Sequence, residues 1–306
     1  MPDQAQLDIG GRKIAVTNLE KVFYPKTGFT KGQVIDYYIR ISAHLLPHLK
    51  NRPITLKRYP DGVEGFFFYE KKCPSHRPKW VKTAKVARSG GGEINYCMVN
   101  DLAALVWAAN LADLELHTFL HKVPALDRPT AVAFDLDPGP PADIMLCCEV
   151  GLRLKAVFDS LGLKSFPKTS GSKGLQIYVP LNTPVTYEKT KAFGRDVAEI
   201  MERNSPQTVV SKMQKSLRNG KVLVDWSQNG SHKTTINVYS LRAKDHPTVS
   251  TPITWDEVAA ALKRKNGKQL KFEAGDVLKR VQKRGDLFAP VLTLKQKLPK
   301  LESLGH

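Results

Sequence analysis

Apolar residues recur along this chain in two rhythms, a period of two in short runs and one near 3.6 in longer ones, which predicts strands interleaved with helices. Residues 12–16 read as a first strand. Thr30 with Gln33 forms a capping box that starts a helix running to about Leu46. Residues 53–59 alternate so that Thr55, Lys57 and Tyr59 share one face. Residues 93–99 and 114–117 read as further strands; Asn100-Asp101 caps an apolar helix between them, and His117 ends the second strand. Residues 131–137 are apolar and β-favouring up to a Pro138-Gly139 break. On that strand Phe134 and Leu136 fall on one face, Asp135 and Asp137 on the other. Asp143 then caps a helix to about Leu161, with Gly162 as its stop. Residues 165–180 read as two strands around a glycine-rich turn, and residues 187–203 as a helix. An apolar strand over 221–225 ends in Asp225, residues 234–240 read as strand, and the chain beyond Pro252 is helical and rich in lysine.

Composition bounds what such a chain can be. A hydrophobic fraction of 42% is enough for a core and excludes a disordered chain, and 306 residues suit two domains or one large α/β unit. The linker over residues 121–129, with two prolines, is the best candidate boundary. The start lacks a secretory apolar segment and no run is long enough to span a bilayer, so a soluble, cytoplasmic protein is expected. Cys73, Cys97, Cys147 and Cys148 show no disulfide spacing, which favours free thiols and a reducing compartment. Cys73 and His76 would make half a zinc site that nothing completes. A net charge of +18 points to a polyanionic partner, most simply nucleic acid, or to a generally basic surface, and specifies no reaction.

Four stretches carry candidate chemistry. Two carboxylates on one strand face repel unless a cation or protons lie between them, so Asp135 and Asp137 suit a divalent metal; a D-x-D step alone equally suits a solvated polar turn. The turn Ser170-Gly171-Ser172-Lys173-Gly174 lies between strands, so it is no Walker A loop, yet its small residues and lysine suit a phosphate, as they would a plain hairpin. Lys21, Lys26 and Lys31 crowd one loop, with Lys31 in the first turn of a helix, where a lysine opposes the helix dipole unless a phosphate docks there. The aromatic run 66–69 opens into a basic loop, a mixture suited to tracking a nucleic-acid strand, although strand periodicity sends half of those rings inward.

Taken together, Phe134-Asp135-Leu136-Asp137-Pro138-Gly139, Ser170-Gly171-Ser172-Lys173-Gly174 and Val224-Asp225-Trp226-Ser227-Gln228-Asn229 closely resemble the polymerase domain of bacterial and archaeal DNA ligase D. That domain belongs to the primase-polymerase superfamily and acts in non-homologous end joining. The resemblance runs from about Val16 to Pro252 and includes Leu56-Lys57-Arg58-Tyr59 and Tyr239-Ser240-Leu241-Arg242. It implies an α+β primase-polymerase fold, with a central RRM-like mixed or antiparallel sheet and a smaller N-terminal αβ module. The expected division is a module for DNA ends over 1–122, a catalytic core over 123–252 and a helical, basic segment over 253–306.

The resemblance also implies residue roles. Asp135, Asp137 and Asp225 would be catalytic and hold two Mg²⁺ or Mn²⁺ ions. Ser170, Gly171, Ser172, Lys173, Gln176, His117, Arg218, Gln228, Arg242 and Lys57 would bind the nucleoside triphosphate. Lys21, Lys31 and Lys26 would grip a downstream DNA 5′-phosphate, and Phe68 and Tyr69 would stack on template bases. Expected partners are gapped or broken DNA, nucleoside triphosphates, Ku and a DNA ligase, but no membrane. The chain would act near the nucleoid as a monomer, or as a dimer across a break. Two departures stand out: Gln176 replaces the family's histidine, and Asn237-Val238-Tyr239-Ser240 replaces its A-P-Y-S. The implied function is (ribo)nucleotide addition to a DNA 3′-end. The rivals are a primase of the same superfamily, a non-catalytic end-bridging protein and a metal nuclease.

Overall fold

In the computed structural model, which describes residues 4–299, the elements follow the rhythms of the sequence. Strands β1 (Gln4–Ile9) and β2 (Arg12–Thr17) form a hairpin turned at Gly10 and Gly11, both at positive φ. A smaller hairpin, β3 (Val22–Tyr24) with β4 (Phe29–Thr30), leads into α1 (Lys31–Leu49). Both halves of the Thr30–Gln33 capping box are formed, and the helix runs past Leu46 despite Pro47. Next come β5 (Pro53–Arg58), β6 (Phe68–Glu70), β7 (Thr83–Ala87), β8 (Glu93–Met98), α2 (Leu102–Asn110) and β9 (Asp113–Thr118). Asp101 caps α2 by accepting from the Ala104 amide.

The second half opens with β10 (Ala131–Pro138) and α3 (Ile144–Ser160), capped by Asp143 and stopped where Gly162 takes a positive φ. Then follow β11 (Phe166–Thr169), β12 (Leu175–Pro180), α4 (Tyr187–Asn204), β13 (Val209–Val210) and β14 (Val222–Asp225). The chain continues through β15 (Thr235–Ile236), α5 (Trp255–Arg264), α6 (Ala274–Arg284) and α7 (Pro290–Thr293). The strand expected over 234–240 is only β15, because the chain turns from Asn237 to Ser240 with Tyr239 at φ +64°. The end of the expected 253–306 segment, residues 300–306, lies outside the described residues. Among the described residues no helix is long and apolar enough to cross a membrane.

Two compact units result, each drawing on three separate stretches of the chain. One holds the chain up to Pro124 together with Thr234–Ser250 and Phe272–Asp286; the other holds Ala125–Lys233, Thr251–Lys271 and the chain from Leu287. The cuts are not linear because β15 returns to pair with β9, and α6 returns to pack on α1. The first unit is built on a six-stranded sheet in the order β15-β9-β5-β8-β7, with β6 sharing the β8 edge of β5. The second has a five-stranded sheet in the order β11-β12-β10-β14-β13, antiparallel except for the β13–β14 pair. Phe134 and Leu136 are fully buried, and Phe134 packs on Phe158 of α3 with ring centroids 5.4 Å apart. That packing fixes which face of β10 the aspartates take.

One expectation fails here. Cys73 and Cys97 form a disulfide, with Cα atoms 4.8 Å apart, while Cys147 and Cys148 are free and buried in α3. The pairing is tertiary: the Cys73 amide donates to the Asn95 carbonyl (2.8 Å), which brings the loop after β6 against β8. Local spacing carries no trace of that contact. Cys73 is therefore no zinc ligand, and cysteine usage no longer argues for a reducing compartment.

Candidate active site

Strand register assembles the second unit's site. On β10, Asp135 lies directly opposite Gln176 of β12 and directly opposite Asp225 of β14; Gln176 in turn lies opposite Lys168 of β11. Directly opposed residues share a face, so Lys168, Gln176, Asp135 and Asp225 form one row across four strands, and Asp137 adds a carboxylate two residues along. Asp135 Oδ1 is buried and accepts no hydrogen bond. Burial, and then the charge of Asp137, push its carboxyl well above the usual carboxylate range, and Asp225 adds to the effect. Asp225 is held from behind: the Ser227 amide donates to Oδ1 (2.8 Å) and Gln228 Nε2 to Oδ2 (2.9 Å).

Those carboxylates are oxygen donors of the kind Mg²⁺ and Mn²⁺ prefer, and a carboxylate oxygen accepting one hydrogen bond keeps a second lone pair. The orphaned oxygen of Asp135 and the mutual repulsion of the group are both relieved by a cation. The donor set therefore fits. Among the described residues no three Asp, Glu, His or Cys side chains already stand in metal-holding geometry, so an ion would draw these ligands together.

Asn229, fully buried, continues the sheet where β14 ends. Its Oδ1 accepts from the Ala133 amide (2.8 Å), and its Nδ2 donates to the carbonyls of Ala133 (2.8 Å) and Trp226 (2.9 Å). One side chain thus ties β10 to the turn that follows Asp225.

The glycine-rich stretch is a hairpin turn between β11 and β12. Ser170 is buried and shapes it: Oγ accepts from the amides of Ser172 and Gly174 (3.2 Å each), and the Ser170 amide donates to the Gly174 carbonyl (2.9 Å). Gly171 needs its positive φ, and a Cβ at Gly174 would collide with the Leu136 carbonyl oxygen, so the turn packs on the backbone between the two aspartates. Ser172 and Lys173 stand exposed at the tip.

Gln176 is buried and engaged on both sides. Its Oε1 accepts from Lys168 Nζ (2.6 Å), and its side chain hydrogen-bonds to Asp135. With the oxygen occupied by an ammonium, the amide N–H groups are what face the carboxylate. Gln228 likewise braces Asp225. Arg218 donates from Nη2 to the Met213 carbonyl (2.6 Å), and its Nε is buried without a hydrogen-bond partner.

A second cluster belongs to the first unit. Tyr69 of β6, Lys57 of β5 and Glu115 of β9 lie in register as a row, with His117 two residues beyond Glu115 on the same face. Lys57 Nζ faces the rings of Phe67 (4.7 Å), Tyr59 (5.2 Å) and Tyr69 (5.3 Å). Arg242 joins through Nε, 3.2 Å from Glu115 Oε1. The aromatic run splits by strand period: Phe68 pairs with Arg58 and lies near-parallel to Phe66, on the face opposite Tyr69 and Phe67. Phe66 is 72% exposed and Tyr69 54%, whereas Phe68 is half-buried.

The lysine loop differs from expectation at the helix start. The first-turn amides are already bonded, Lys31 N to the Lys21 carbonyl (2.8 Å), Gly32 N to the Leu19 carbonyl (2.8 Å) and Gln33 N to Thr30 Oγ1 (3.3 Å). The helix end therefore offers these amides to no anion, and only the cations remain. Lys31 is buried with Nζ donating to the Thr17 carbonyl (2.7 Å), and burial, helped by the charge of Lys21, lowers its ammonium to about 8. Lys21 pairs with Asp61 (2.7 Å) and Lys26 with Asp245, both in the open, where such pairs are weak and exchangeable.

Sequence reading missed Lys168, Glu115 and Asn229. Each was visible as a polar residue in or beside an apolar strand, Pro167-Lys168-Thr169, Leu114-Glu115-Leu116 and the turn after Val224-Asp225.

Comparison with known proteins bears on this arrangement. The family model for the LigD primase-polymerase domain matches residues 30–288. The multifunctional non-homologous end joining protein LigD of Mycolicibacterium smegmatis is 41% identical over 281 residues, covering 91% of this chain and 36% of the relative. The bifunctional LigD of Bacillus subtilis is 32% identical over 274 residues, covering 89% and 43%. The chain thus spans well under half the length of these curated relatives. A solved structure, the polymerase domain from Mycobacterium tuberculosis ligase D in complex with DNA, superposes with a TM-score of 0.85 at 38% identity, covering 92% of this chain and 99% of that one. With the match running through both aspartate-bearing strands, the glycine-rich hairpin and the Lys57 face, the chain belongs to the LigD primase-polymerase domain family.

Proposed function

We propose that this chain is a metal-dependent nucleotidyltransferase that adds nucleotides to a DNA 3′-end at short gaps or breaks, in non-homologous end joining. The observation that carries the reading is the row of carboxylates on β10 and β14, with a buried Asp135 oxygen that has no hydrogen-bond donor. Asp135, Asp137 and Asp225 would hold two Mg²⁺ or Mn²⁺ ions, which when bound activate a 3′-hydroxyl and neutralise the triphosphate. Gln228 and the Ser227 amide orient Asp225, while Lys168 and Gln176 orient Asp135. Ser170 and Gly171 set the turn that offers Ser172 and Lys173 to the phosphates. The unpartnered Nε of Arg218 suits an anion. In the first unit, Lys57, His117 and Arg242 form a cationic cluster that would suit nucleotide phosphates.

Lys21, Lys31 and Lys26 would receive the downstream 5′-phosphate, displacing exposed ion pairs. Tyr69 and Phe67, exposed on one face, suit base stacking better than the half-buried Phe68. Gapped DNA, nucleoside triphosphates, Ku and a DNA ligase are the partners such an enzyme would meet. The solved relative in complex with DNA supports the first of these.

Nucleotide addition on a gapped duplex with Mn²⁺, with and without the downstream 5′-phosphate, tests this. Incorporation is expected, stimulated by the 5′-phosphate. Because the Lys31 ammonium is charged below about 8 and neutral above it, the stimulation should fade as pH rises through that value. Binding without incorporation would instead favour an end-bridging protein, shortened strands a nuclease, and synthesis without a primer a primase.

A further inference from the structure

We infer that Glu115 is the positioning residue that gathers Lys57, His117 and Arg242 into one polyanion-binding cluster; this rests on the nucleotide role proposed above for those three. Glu115 is a β9 residue with a side chain only 2% exposed, and each of its side-chain hydrogen bonds is accepted from a cationic side chain, an imidazole or an amide. Its Oε2 accepts from His117 Nε2 (3.0 Å) and Lys57 Nζ (3.4 Å); its Oε1 accepts from Arg242 Nε (3.2 Å) and the Ala243 amide (3.0 Å). Two bonds to each oxygen use the four lone-pair positions of a carboxylate. Glu115 therefore has no remaining capacity as a metal ligand or a base. Its carboxyl is held well below the usual range by the His117 hydrogen bond and the charges of Arg242 and Lys57, against the opposing cost of burial.

The excess of cations is what separates this cluster from a structural ion pair. One buried carboxylate is balanced by one cation, yet here it meets two permanent cations and an imidazole. Those three partners are each partly open to solvent, with side chains 13–16% exposed, whereas the carboxylate is not. The negative group lies beneath and the positive groups lie towards water. Lys57 is confined further by the rings of Tyr59, Phe67 and Tyr69, so its ammonium occupies one place instead of sweeping a flexible stem's volume. A ligand with several anionic oxygens, such as a triphosphate, then meets cations whose positions are set in advance.

The test is ATP titration and steady-state kinetics with the full chain, comparing wild type, Glu115→Gln, Arg242→Ala and the double variant. Glu115→Gln keeps the shape and loses the charge. It should raise the ATP dissociation constant and KM about tenfold, the worth of a charged hydrogen bond, with kcat affected less than KM. The double variant should bind ATP little worse than Arg242→Ala alone, because Glu115 acts through its partners. Simple charge repulsion predicts the opposite: removing an anion near a phosphate site would tighten ATP binding. Unchanged or tighter binding by Glu115→Gln, alongside weaker binding by Arg242→Ala, overturns the inference while leaving the nucleotide site intact. Unchanged binding by Arg242→Ala overturns it by removing the nucleotide role of the cluster itself. Should Glu115→Gln not fold, Glu115→Asp, one methylene short of its partners, is expected to give a smaller loss in the same direction.

Discussion

Nucleotide addition by an Asp225→Asn variant is expected to fall roughly a thousandfold or more below wild type, the several kcal/mol of charge stabilisation that a metal site supplies. The substitution is nearly isosteric, and an amide oxygen can still accept from the Ser227 amide, as Asp225 Oδ1 does now. What disappears is one negative charge on β14, directly across from Asp135. Cation binding by the remaining pair would lack its third carboxylate, and Gln228 would face a group that no longer needs a donor. The fold should be unaffected, since Asp225 ends its strand and packs no core. Steady-state incorporation on a gapped duplex, with circular dichroism as a folding control, checks this. Activity within tenfold of wild type would mean that Asp225 is not part of the reacting centre.

The second large effect falls on stability. Asn229→Ala removes three hydrogen bonds in the core and leaves the Ala133 amide and carbonyl buried without partners. Each orphaned group costs about 1–3 kcal/mol, so a loss of roughly 2–5 kcal/mol in denaturant unfolding is expected. The exposed Asn219→Ala serves as the control and should stay within about 0.5 kcal/mol. A neutral Asn229→Ala would show that the edge of β10 does not depend on this side chain.

Alternation alone placed Asp135 and Asp137 together, because a buried Phe134 and Leu136 leave them no other face. Caps at Thr30, Asp101 and Asp143 were equally legible, since each acts on amides within a few residues. The strand ending in Asp225 was legible from its apolar run, and the resemblance, carried by three short motifs, linked Asp225 to that pair.

What escaped reading was everything set by register between distant strands. Glu115 meets Lys57 only because β9 and β5 pair with those residues opposed, and Lys168 meets Gln176 only through the β11–β12 hairpin. The Cys73–Cys97 bond and the return of β15 to β9 are of the same kind. The first amides of α1 were hidden in the same way: the carbonyls of Lys21 and Leu19, folded back from the preceding loop, take two of them, which leaves the lysine side chains as the groups that could meet a phosphate.

Asp135, Asp137 and Asp225 are proposed to hold divalent cations beside a nucleotide. Mn²⁺ titration followed by electron paramagnetic resonance, with a non-hydrolysable nucleoside triphosphate present, measures it directly. Two ions per chain are expected for wild type, with affinity sharply reduced in Asp135→Asn. Mn²⁺ binding that is absent in wild type, or undiminished in the variant, would show that these carboxylates hold no catalytic metal.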